Sequence, residues 1–432
     1  MVWVPIALLL ALPAHRATPP RRVTFSGNVA AILYKHCATC HHPGEAAPFS
    51  LLTYADASKR AVLIAKVTAS RYMPPWQPEP GYGRFQGERR LSLADIATLK
   101  RWAAEGAPEG NPARAPTAPH FPEGWQLGTP DLIAHVAHPF TVPAEAADTY
   151  ECFVVPLHLT KDKYVRAMEF RPGARSAVHH ALFLLDAGHT ALQNGDQYPC
   201  FGTPGFLPSG ALGGWTLGMQ PARMPEGRQL ILRKGSTLVM QIHYHPTGKP
   251  ETDQSELGLY FTDKPPAKWV ADIALVSNHI DIPAGDRAYK VRDRFTTPVP
   301  VDVVGIIPHA HYICKDMKGW AILPNGRKRW LIWIRDWNFN WQEQYRYATP
   351  IRFPADTRFE MEFTYDNSAD NVRNPNHPPK RVVWGPNTTD EMAGLHVQAI
   401  PVDMADWHEL GQALWGKFMR MVGGGFCRRD GL

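Results

Sequence analysis

Past residue 106 the sequence is poor in long stretches of helical periodicity, and its apolar runs are short. The whole chain is rich in turn-forming residues, with 41 prolines and 34 glycines among 432 residues. Short strands separated by such turns are typical of all-β domains, whereas helix interiors tolerate neither residue well. The bulk of the chain is therefore predicted to be an all-β body, and the length predicts two to four domains.

A C-x-x-C-H box lies between two segments with helical periodicity, at Cys37, Cys40 and His41. Two thiols at this spacing can form thioethers to the haem vinyl groups, while the histidine ligates the iron. One flanking helix is predicted over residues 25–36, with Ser26 as its cap, and Ser92 caps the other. These features predict a small all-α cytochrome c domain with one covalent haem c, over residues 23–107.

Two other uses of the box fit less well. Half of a zinc site would need a second Cys/His pair, and no other cysteine lies within a hundred residues. A redox dithiol would need a βαβ setting, which the sequence lacks. Met73 is predicted as the sixth haem ligand, because it is the only methionine between the start and residue 160. His36 and His42 are its rivals, although both crowd the attachment box.

Covalent haem of this type is attached outside the bacterial cytoplasm, so an export signal is expected. Residues 2–13 form an apolar run of twelve, too short to span a bilayer, with small residues behind it. A signal peptide is predicted over residues 1–17, although its start has no Lys or Arg. The mature protein is expected to be periplasmic or exported, with no membrane span.

The charge pattern excludes one class of partner. The net charge is +6, and the acidic and basic residues are interspersed without a basic stripe. No nucleic-acid partner is therefore expected. Proline-rich residues 108–130 are predicted to link the haem domain to the β body, and residues 403–432 to form a C-terminal tail.

Histidines past residue 150 cluster in three short motifs on strand-like segments: His179 and His180, His243 and His245, and His309 and His311. Residues two apart in a strand point to the same face, so His309 and His311 can bind one ion. Adjacent His179 and His180 face opposite ways in a flat strand, and need a bulge or strand end to converge. Zinc, copper and iron all accept imidazole, so spacing alone leaves the metal open.

These motifs occur in one order with others: D-T-Y-x-C from Asp148, V-H-H, Q-x-H-Y from Gln241, H-x-H, and D-E-M ending at Met392. The set resembles the catalytic core of the copper type II, ascorbate-dependent monooxygenases, the family of peptidylglycine α-hydroxylating and dopamine β-monooxygenases. The resemblance covers roughly residues 125–402. It implies two jelly-roll-like β-sandwich domains, over residues 131–266 and 267–402, and two coppers.

The resemblance also implies a ligand set for each copper. His179, His180 and His243 would bind an electron-transfer copper. The copper that activates oxygen would be bound by the predicted catalytic residues His309, His311 and Met392, whose thioether favours Cu(I). His245 shares a strand face with His243 and competes with it as the third ligand of the first copper.

Three departures from the family leave the substrate open. An arginine that helps to anchor the peptide carboxylate is replaced here by Ile307, and two further peptide-binding positions hold Gly394 and His396. Hydroxylation of peptides with a C-terminal glycine is therefore not expected. Few cysteines lie in the β body, and Cys152 and Cys200 can pair in an oxidising compartment.

The leading hypothesis is an exported monooxygenase that hydroxylates an unknown small molecule or peptide with O2. Electrons would enter from a donor protein through the haem, or from ascorbate, and pass from the first copper to the second. The main alternative is a non-catalytic electron-transfer or copper-handling protein. A zinc hydrolase is a third possibility, but it would need a carboxylate base beside the histidines, as in H-E-x-x-H.

Overall fold

The computed structural model describes residues 22–45, 47–145, 148–200, 204–216, 219–385 and 387–426. The predicted signal peptide, residues 1–17, lies outside these ranges. Within them, no helix has both the length and the apolar character needed to cross a membrane.

Short helices cluster near the N-terminus, and a longer one lies near the C-terminus. The α-helices of the described residues are α1 (Ala30–His36), α2 (Tyr54–Ser58), α3 (Ala61–Ala69), α4 (Leu93–Ala104) and α5 (Trp407–Phe426). Ser92 caps α4, as the sequence predicts, and it forms a capping box with Asp95. The helix predicted over residues 25–36 is present, as a π-helical turn, Phe25–Val29, that continues directly into α1, but Thr24 rather than Ser26 caps it.

Among the residues that the structure describes, the strands up to residue 262 form two five-stranded sheets and one strand pair. They are β1 (Leu132–His135), β2 (Phe140–Val142), β3 (Thr149–Pro156), β4 (Lys163–Arg171), β5 (Val178–Asp186), β6 (Gln197–Pro199), β7 (Gly210–Thr216), β8 (Ala222–Arg223), β9 (Leu230–Leu232), β10 (Thr237–Tyr244), β11 (Glu251–Asp253) and β12 (Glu256–Thr262). One sheet has the order β1-β12-β4-β8, with β9 also on β4, and the other has the order β6-β3-β10-β5-β7. Both contribute to one core, through Val165 and Leu259 from the first and Phe183 and Ile242 from the second.

The described strands from residue 271 onward form two four-stranded sheets and a second strand pair. They are β13 (Ala271–Ser277), β14 (Asp281–Ile282), β15 (Tyr289–Thr296), β16 (Val301–His309), β17 (Cys314–Ile322), β18 (Lys328–Ile334), β19 (Tyr345–Phe353), β20 (Arg358–Tyr365), β21 (Val382–Val383) and β22 (Ala393–Pro401). The sheet orders are β13-β22-β16-β19 and β15-β20-β17-β18. Ile306 and Leu395 of the first sheet share a core with Met317 and Phe363 of the second.

Chain contacts divide the protein into two compact units. One contains the described residues up to Thr39, together with Phe49–Met73 and Leu91–Pro119, and it holds α1 to α4. Its core includes the fully buried Leu33, Leu99 and Trp102. The other unit contains Cys40–Pro48, Pro74–Arg90 and residues from His120 onward, and therefore all of the strands.

The predicted fold class, a small all-α cytochrome c domain followed by two all-β jelly-roll-like sandwich domains, is wrong. Strands account for 36% of the structure against 17% for helices, and no all-α cytochrome domain is present among the described residues. The physical reason lies within the predicted helical region itself. Its segments Cys40–Pro48 and Pro74–Arg90 belong to the β unit, where Pro78 forms a β-bridge with Ile334 and Phe85 one with Tyr347.

Candidate metal centres

A β-bulge brings His179 and His180 to the same place. Along the β5–β10 ladder His180 is paired with His243, but the next pair joins Val178 to Tyr244. His179 is therefore the extra residue on its strand, which turns its side chain toward that of its neighbour. The sequence predicts such an irregularity for an adjacent histidine pair, and the structure contains it.

Three imidazoles converge at this bulge, and we call His179, His180 and His243 the three-histidine site. Their candidate ligand atoms all lie within 4.8 Å of one another. Nδ1 of His180 lies 3.2 Å from Nδ1 of His179 and 3.3 Å from Nδ1 of His243. Nδ1 of His180 carries either one proton or one lone pair, so it cannot form hydrogen bonds with both His179 and His243. A metal cation, in contrast, can accept a lone pair from each of the three rings.

The same histidines are held neutral, which is the form that binds metals. Burial, with a smaller effect from the charge of His243, lowers the pKa of His179 to about 3. Burial also lowers the pKa of His180 well below its ordinary value. For His243, burial lowers the pKa while the nearby carboxylate of Asp148 partly opposes it. The donor set of this site therefore fits a metal that prefers imidazole.

Asp148 and Tyr150 contact the His243 ring, Asp148 at its Nε2 and Tyr150 at its face. One oxygen of Asp148 lies 3.4 Å from Nε2 of His243, a distance suited to an ion pair. The contact lacks hydrogen-bond alignment, so Nε2 is buried without a hydrogen-bond partner. The Tyr150 ring stacks on the His243 ring at 4.1 Å and 7°. A carboxylate beside the second ring nitrogen of a ligating histidine is the arrangement that orients such ligands.

His245 takes a different position from His243. It follows the end of β10, its side chain is 60% exposed, and its Nδ1 lies 2.8 Å from the other oxygen of Asp148. His243 is the member of the converging group, whereas His245 is outside it. Of the two rivals predicted from the sequence, the structure thus places His243 in the three-histidine site.

The second site is built where β16 ends, and we call His309 and His311 the H-x-H site. The two rings lie 5.4 Å apart at 89°. Nδ1 of His309 lies 2.5 Å from Oε1 of Gln342, and Nδ1 of His311 lies 3.1 Å from the backbone oxygen of Asp390. Both contacts need a proton on Nδ1, so Nε2 of each ring keeps the lone pair that a metal would use.

Burial again favours the neutral rings. It lowers the pKa of His309 to about 4, although the hydrogen bond with Gln342 opposes it. It lowers the pKa of His311 to about 3, and the charge of His309 adds to the effect. Both imidazoles are therefore available as ligands at neutral pH.

The buried carboxylate of Glu391 fixes the turn that carries the H-x-H site. It accepts the backbone N–H of His311 at 2.9 Å, that of Ile313 at 2.8 Å and that of Met392 at 3.1 Å. Glu391 is fully buried, which raises its pKa to about 8, although the backbone N–H groups oppose the shift. In the sequence this residue is only the middle letter of a motif, and its role is not evident there.

Met392 is held next to the same turn. It directly precedes β22, in which Gly394 is paired with His309 of β16. Its backbone oxygen accepts a hydrogen bond of 2.6 Å from the Tyr365 hydroxyl. Strand pairing thus brings the backbone of the predicted thioether ligand to the end of β16, where both histidines lie.

One phenylalanine contacts both sites. The Phe339 ring stacks on His179 at 5.2 Å and 19°, and meets His311 edge-on at 5.7 Å and 88°. Charge on His309 or His311 would also lower the pKa of His180, so the sites are close enough to interact electrostatically. Phe339 and Gln342 lie in an irregular segment without a motif or periodicity, and nothing in the sequence indicates their roles.

The predicted haem ligands are distributed over the two units. Cys37 caps the end of α1, and it belongs with Met73 to the helical unit, whereas Cys40 and His41 belong to the β unit. Cys37 and Cys40 are both half-buried and lie outside the Cys152–Cys200 disulfide, which the structure forms as the sequence suggests. Two thiols, an imidazole and a thioether are the donors that a c-type haem requires.

Comparisons with known proteins identify no family. No protein-family model matches the chain, and no curated protein matches it. Similar solved structures include that of the infectious bursal disease virus Gx strain, at 8% identity and a TM-score of 0.19, covering 63% of this chain and 72% of the viral one. PNGF-II has 9% identity and a TM-score of 0.26, covering 62% of this chain and 64% of its own. Scores this low carry no argument, so the resemblance to copper monooxygenases remains a prediction.

Proposed function

We propose that the protein is an exported, copper-dependent monooxygenase that carries a covalent haem c at Cys37, Cys40 and His41. The observation that carries the proposal is the convergence of three neutral imidazoles at His179, His180 and His243, within 4.8 Å of one another. Purely structural histidines do not need their nitrogens aimed at one point. The ordered motifs that place a second histidine pair beside Met392 make copper the favoured metal.

The overall reaction would convert a substrate C–H bond to C–OH. One O2, two electrons and two protons are consumed, and one oxygen atom leaves as water. The electrons would come singly from a donor protein through the haem, or from ascorbate. When bound, the coppers supply one-electron transfer and oxygen activation, and the haem supplies one-electron entry.

The protein's own residues contribute binding and orientation. The bulge at His179 and the β5–β10 pairing hold three ligand rings together, with Asp148 beside the outer nitrogen of His243. At the H-x-H site, Gln342 and the backbone oxygen of Asp390 fix both Nδ1 protons. Each Nε2 is then left as the donor atom before any metal arrives.

The sequence constrains the substrate less than it constrains the reaction type. Ile307 replaces the arginine by which the resembled family anchors a peptide carboxylate. Gly394 and His396 replace two further peptide-binding residues, and His396 here pairs with Asp272 at 2.7 Å. We therefore infer a small molecule or a peptide without a recognised C-terminal glycine carboxylate.

Metal analysis of the purified full-length protein tests the proposal. We expect one haem and two coppers per chain, and oxygen consumption by the reduced, copper-loaded protein. A Met392→Ile variant should lose turnover while the haem absorption spectrum is unchanged. A protein that takes up haem and no copper would refute the proposal. Two coppers without oxygen consumption would favour the electron-transfer or copper-handling alternative.

A further inference from the structure

A short segment of the β unit touches both histidine sites. We call residues 338–343 the bridging loop, which includes a 3-10 turn at Phe339–Trp341. Phe339 lies against His179 and His311, and Oε1 of Gln342 accepts from Nδ1 of His309 at 2.5 Å. The side chains of Phe339 and Gln342 thus connect the bridging loop to the three-histidine and H-x-H sites.

A second segment holds the bridging loop from its other side. We call Pro74–Arg90 the strap, and it belongs to the same unit as the loop. The side-chain amide of Gln77 spans the loop: its Oε1 accepts from the backbone N–H of Asn338 at 2.6 Å, and its Nε2 donates to the backbone oxygen of Trp341 at 2.5 Å. One amide thereby fixes two points of the loop that lie three residues apart.

A charged pair fixes the end of the loop. Arg89 of the strap donates two hydrogen bonds to Glu343, of 3.1 Å and 2.6 Å, in a bidentate pair. Both side chains are largely buried, with 24% and 21% exposed. The same guanidinium donates to the Pro75 backbone oxygen at 3.2 Å, which ties the two ends of the strap together. Bidentate pairs of this kind add geometric specificity as well as energy.

The strap itself has little freedom to move. Pro78 and Phe85 form β-bridges with Ile334 and Tyr347, on the strands that flank the bridging loop. The Trp76 ring packs edge-on against Tyr345 at 5.4 Å. The strap is therefore anchored on both sides of the loop that it holds.

We propose that the strap, through Gln77 and Arg89, positions the bridging loop so that Gln342 sets the ring orientation of His309. Gln342 and Gln77 are then positioning residues of the H-x-H site, one in contact with a ligand and one acting through the loop. The inference rests on the proposed function, because it concerns how that site binds copper. It adds an element from outside the resembled region, since the strap precedes residue 125.

Copper titration of the full-length protein tests the proposal. In a His180→Ala background, which removes the three-histidine site, Cu(II) reports on the H-x-H site alone. We expect Gln342→Ala to weaken copper binding about 10- to 100-fold and to change the Cu(II) paramagnetic resonance spectrum. Gln342→Glu keeps the acceptor oxygen and should restore binding. Gln77→Ala removes two hydrogen bonds to the bridging loop and should weaken copper binding about fivefold, less than Gln342→Ala, because Gln77 acts on the H-x-H site only through the loop.

Gln86→Ala is the matched control. Gln86 lies on the same strap, but its amide donates to the backbone oxygen of Tyr347 at 3.2 Å, away from the bridging loop. If Gln342→Ala and Gln77→Ala bind copper as this control does, the inference is overturned while the proposed function stands. If neither the wild-type protein nor the background protein binds copper, both are overturned.

A second measurement uses the wild-type protein, so that its result does not depend on whether a loop variant folds. Histidine nitrogen resonances of the metal-free wild-type chain report which ring nitrogen carries the proton. We expect His309 as the Nδ1–H tautomer, because the Gln342 oxygen accepts that proton. An Nε2–H tautomer for His309 would overturn the role assigned to Gln342, whatever the variants show.

Discussion

The three-histidine site and the H-x-H site are constructed in different ways. The first takes its rings from two paired strands, and the strand register together with one bulge brings them together. The second takes its rings from the end of β16, and they are fixed by hydrogen bonds that Gln342, Asp390 and Glu391 accept. Strand register leaves little freedom, whereas a site held by loop hydrogen bonds can adjust. We therefore expect the first site to be rigid and the second to be the more sensitive to its neighbours.

Removing one histidine from each site gives the largest expected effect. His180→Ala should leave one copper, bound at the H-x-H site, and His309→Ala should leave one at the three-histidine site. Each variant should lose turnover, because the proposed reaction needs both metals. Copper counting with a comparison of the two Cu(II) spectra checks this. Loss of both coppers in either variant would show that the sites are not separate.

Glu391→Ala should destabilise the protein around the H-x-H site and leave the three-histidine site intact. The change leaves the backbone N–H groups of His311, Ile313 and Met392 without their acceptor in the protein interior. At about 1–3 kcal/mol for each of these three buried unsatisfied groups, the free energy of unfolding should fall by roughly 3–9 kcal/mol. Urea unfolding of the metal-free protein measures this.

Copper binding by the same variant shows which of the two sites the change affects. Whatever folded Glu391→Ala protein is recovered should keep copper at the three-histidine site and lose it at the H-x-H site. Equal loss at both sites would contradict the view that the second site alone depends on this carboxylate.

The disulfide distinguishes the two halves of the β unit. Cys152 lies on β3, next to Gln241 of β10, and its bond to Cys200 closes a loop of sequence separation 48. Cys314 of the other half is a buried thiol. Cys152→Ala with Cys200→Ala should lower the free energy of unfolding by about 4 kcal/mol, the chain-entropy value for such a loop.

Urea unfolding under non-reducing conditions measures that loss, and Cys314→Ala is the control that removes a thiol without removing a crosslink. We expect the double variant to lose more stability than the control. Equal losses would mean that the crosslink contributes nothing to the three-histidine half.

Local signals in the sequence predicted parts of the sites well. The need for a bulge at His179 follows from the two-residue period of a strand, and the structure has it. The Ser92 cap of α4 and the Cys152–Cys200 pairing also agree with the sequence. Each depends on residues close in sequence or on a residue type with few partners available.

Contacts between distant segments were not predictable in the same way. Helical periodicity on both sides of residues 37–41 suggested one all-α domain, but it gives no sign that Pro74–Arg90 pairs with strands more than 240 residues later, as Pro78 does with Ile334. Gln342 and Phe339 have no periodicity, and their partners are set by tertiary packing. The predicted fold class is wrong for this reason, whereas the bulge at His179 depends on local strand geometry and was predictable.

The smallest expected effect concerns Asp148, the carboxylate beside the three-histidine site. Asp148→Asn keeps the size of the side chain but removes the negative charge 3.4 Å from Nε2 of His243. We expect copper at this site to bind about tenfold more weakly, or about 1.4 kcal/mol, with the H-x-H site unchanged. Site-resolved copper titration measures both. His245→Ala is the control, because it removes the exposed partner of the same carboxylate without touching the converging rings. If His245→Ala weakens binding as much as Asp148→Asn, the carboxylate acts through the surface network, and the rigidity ascribed to the first site must come from strand register alone.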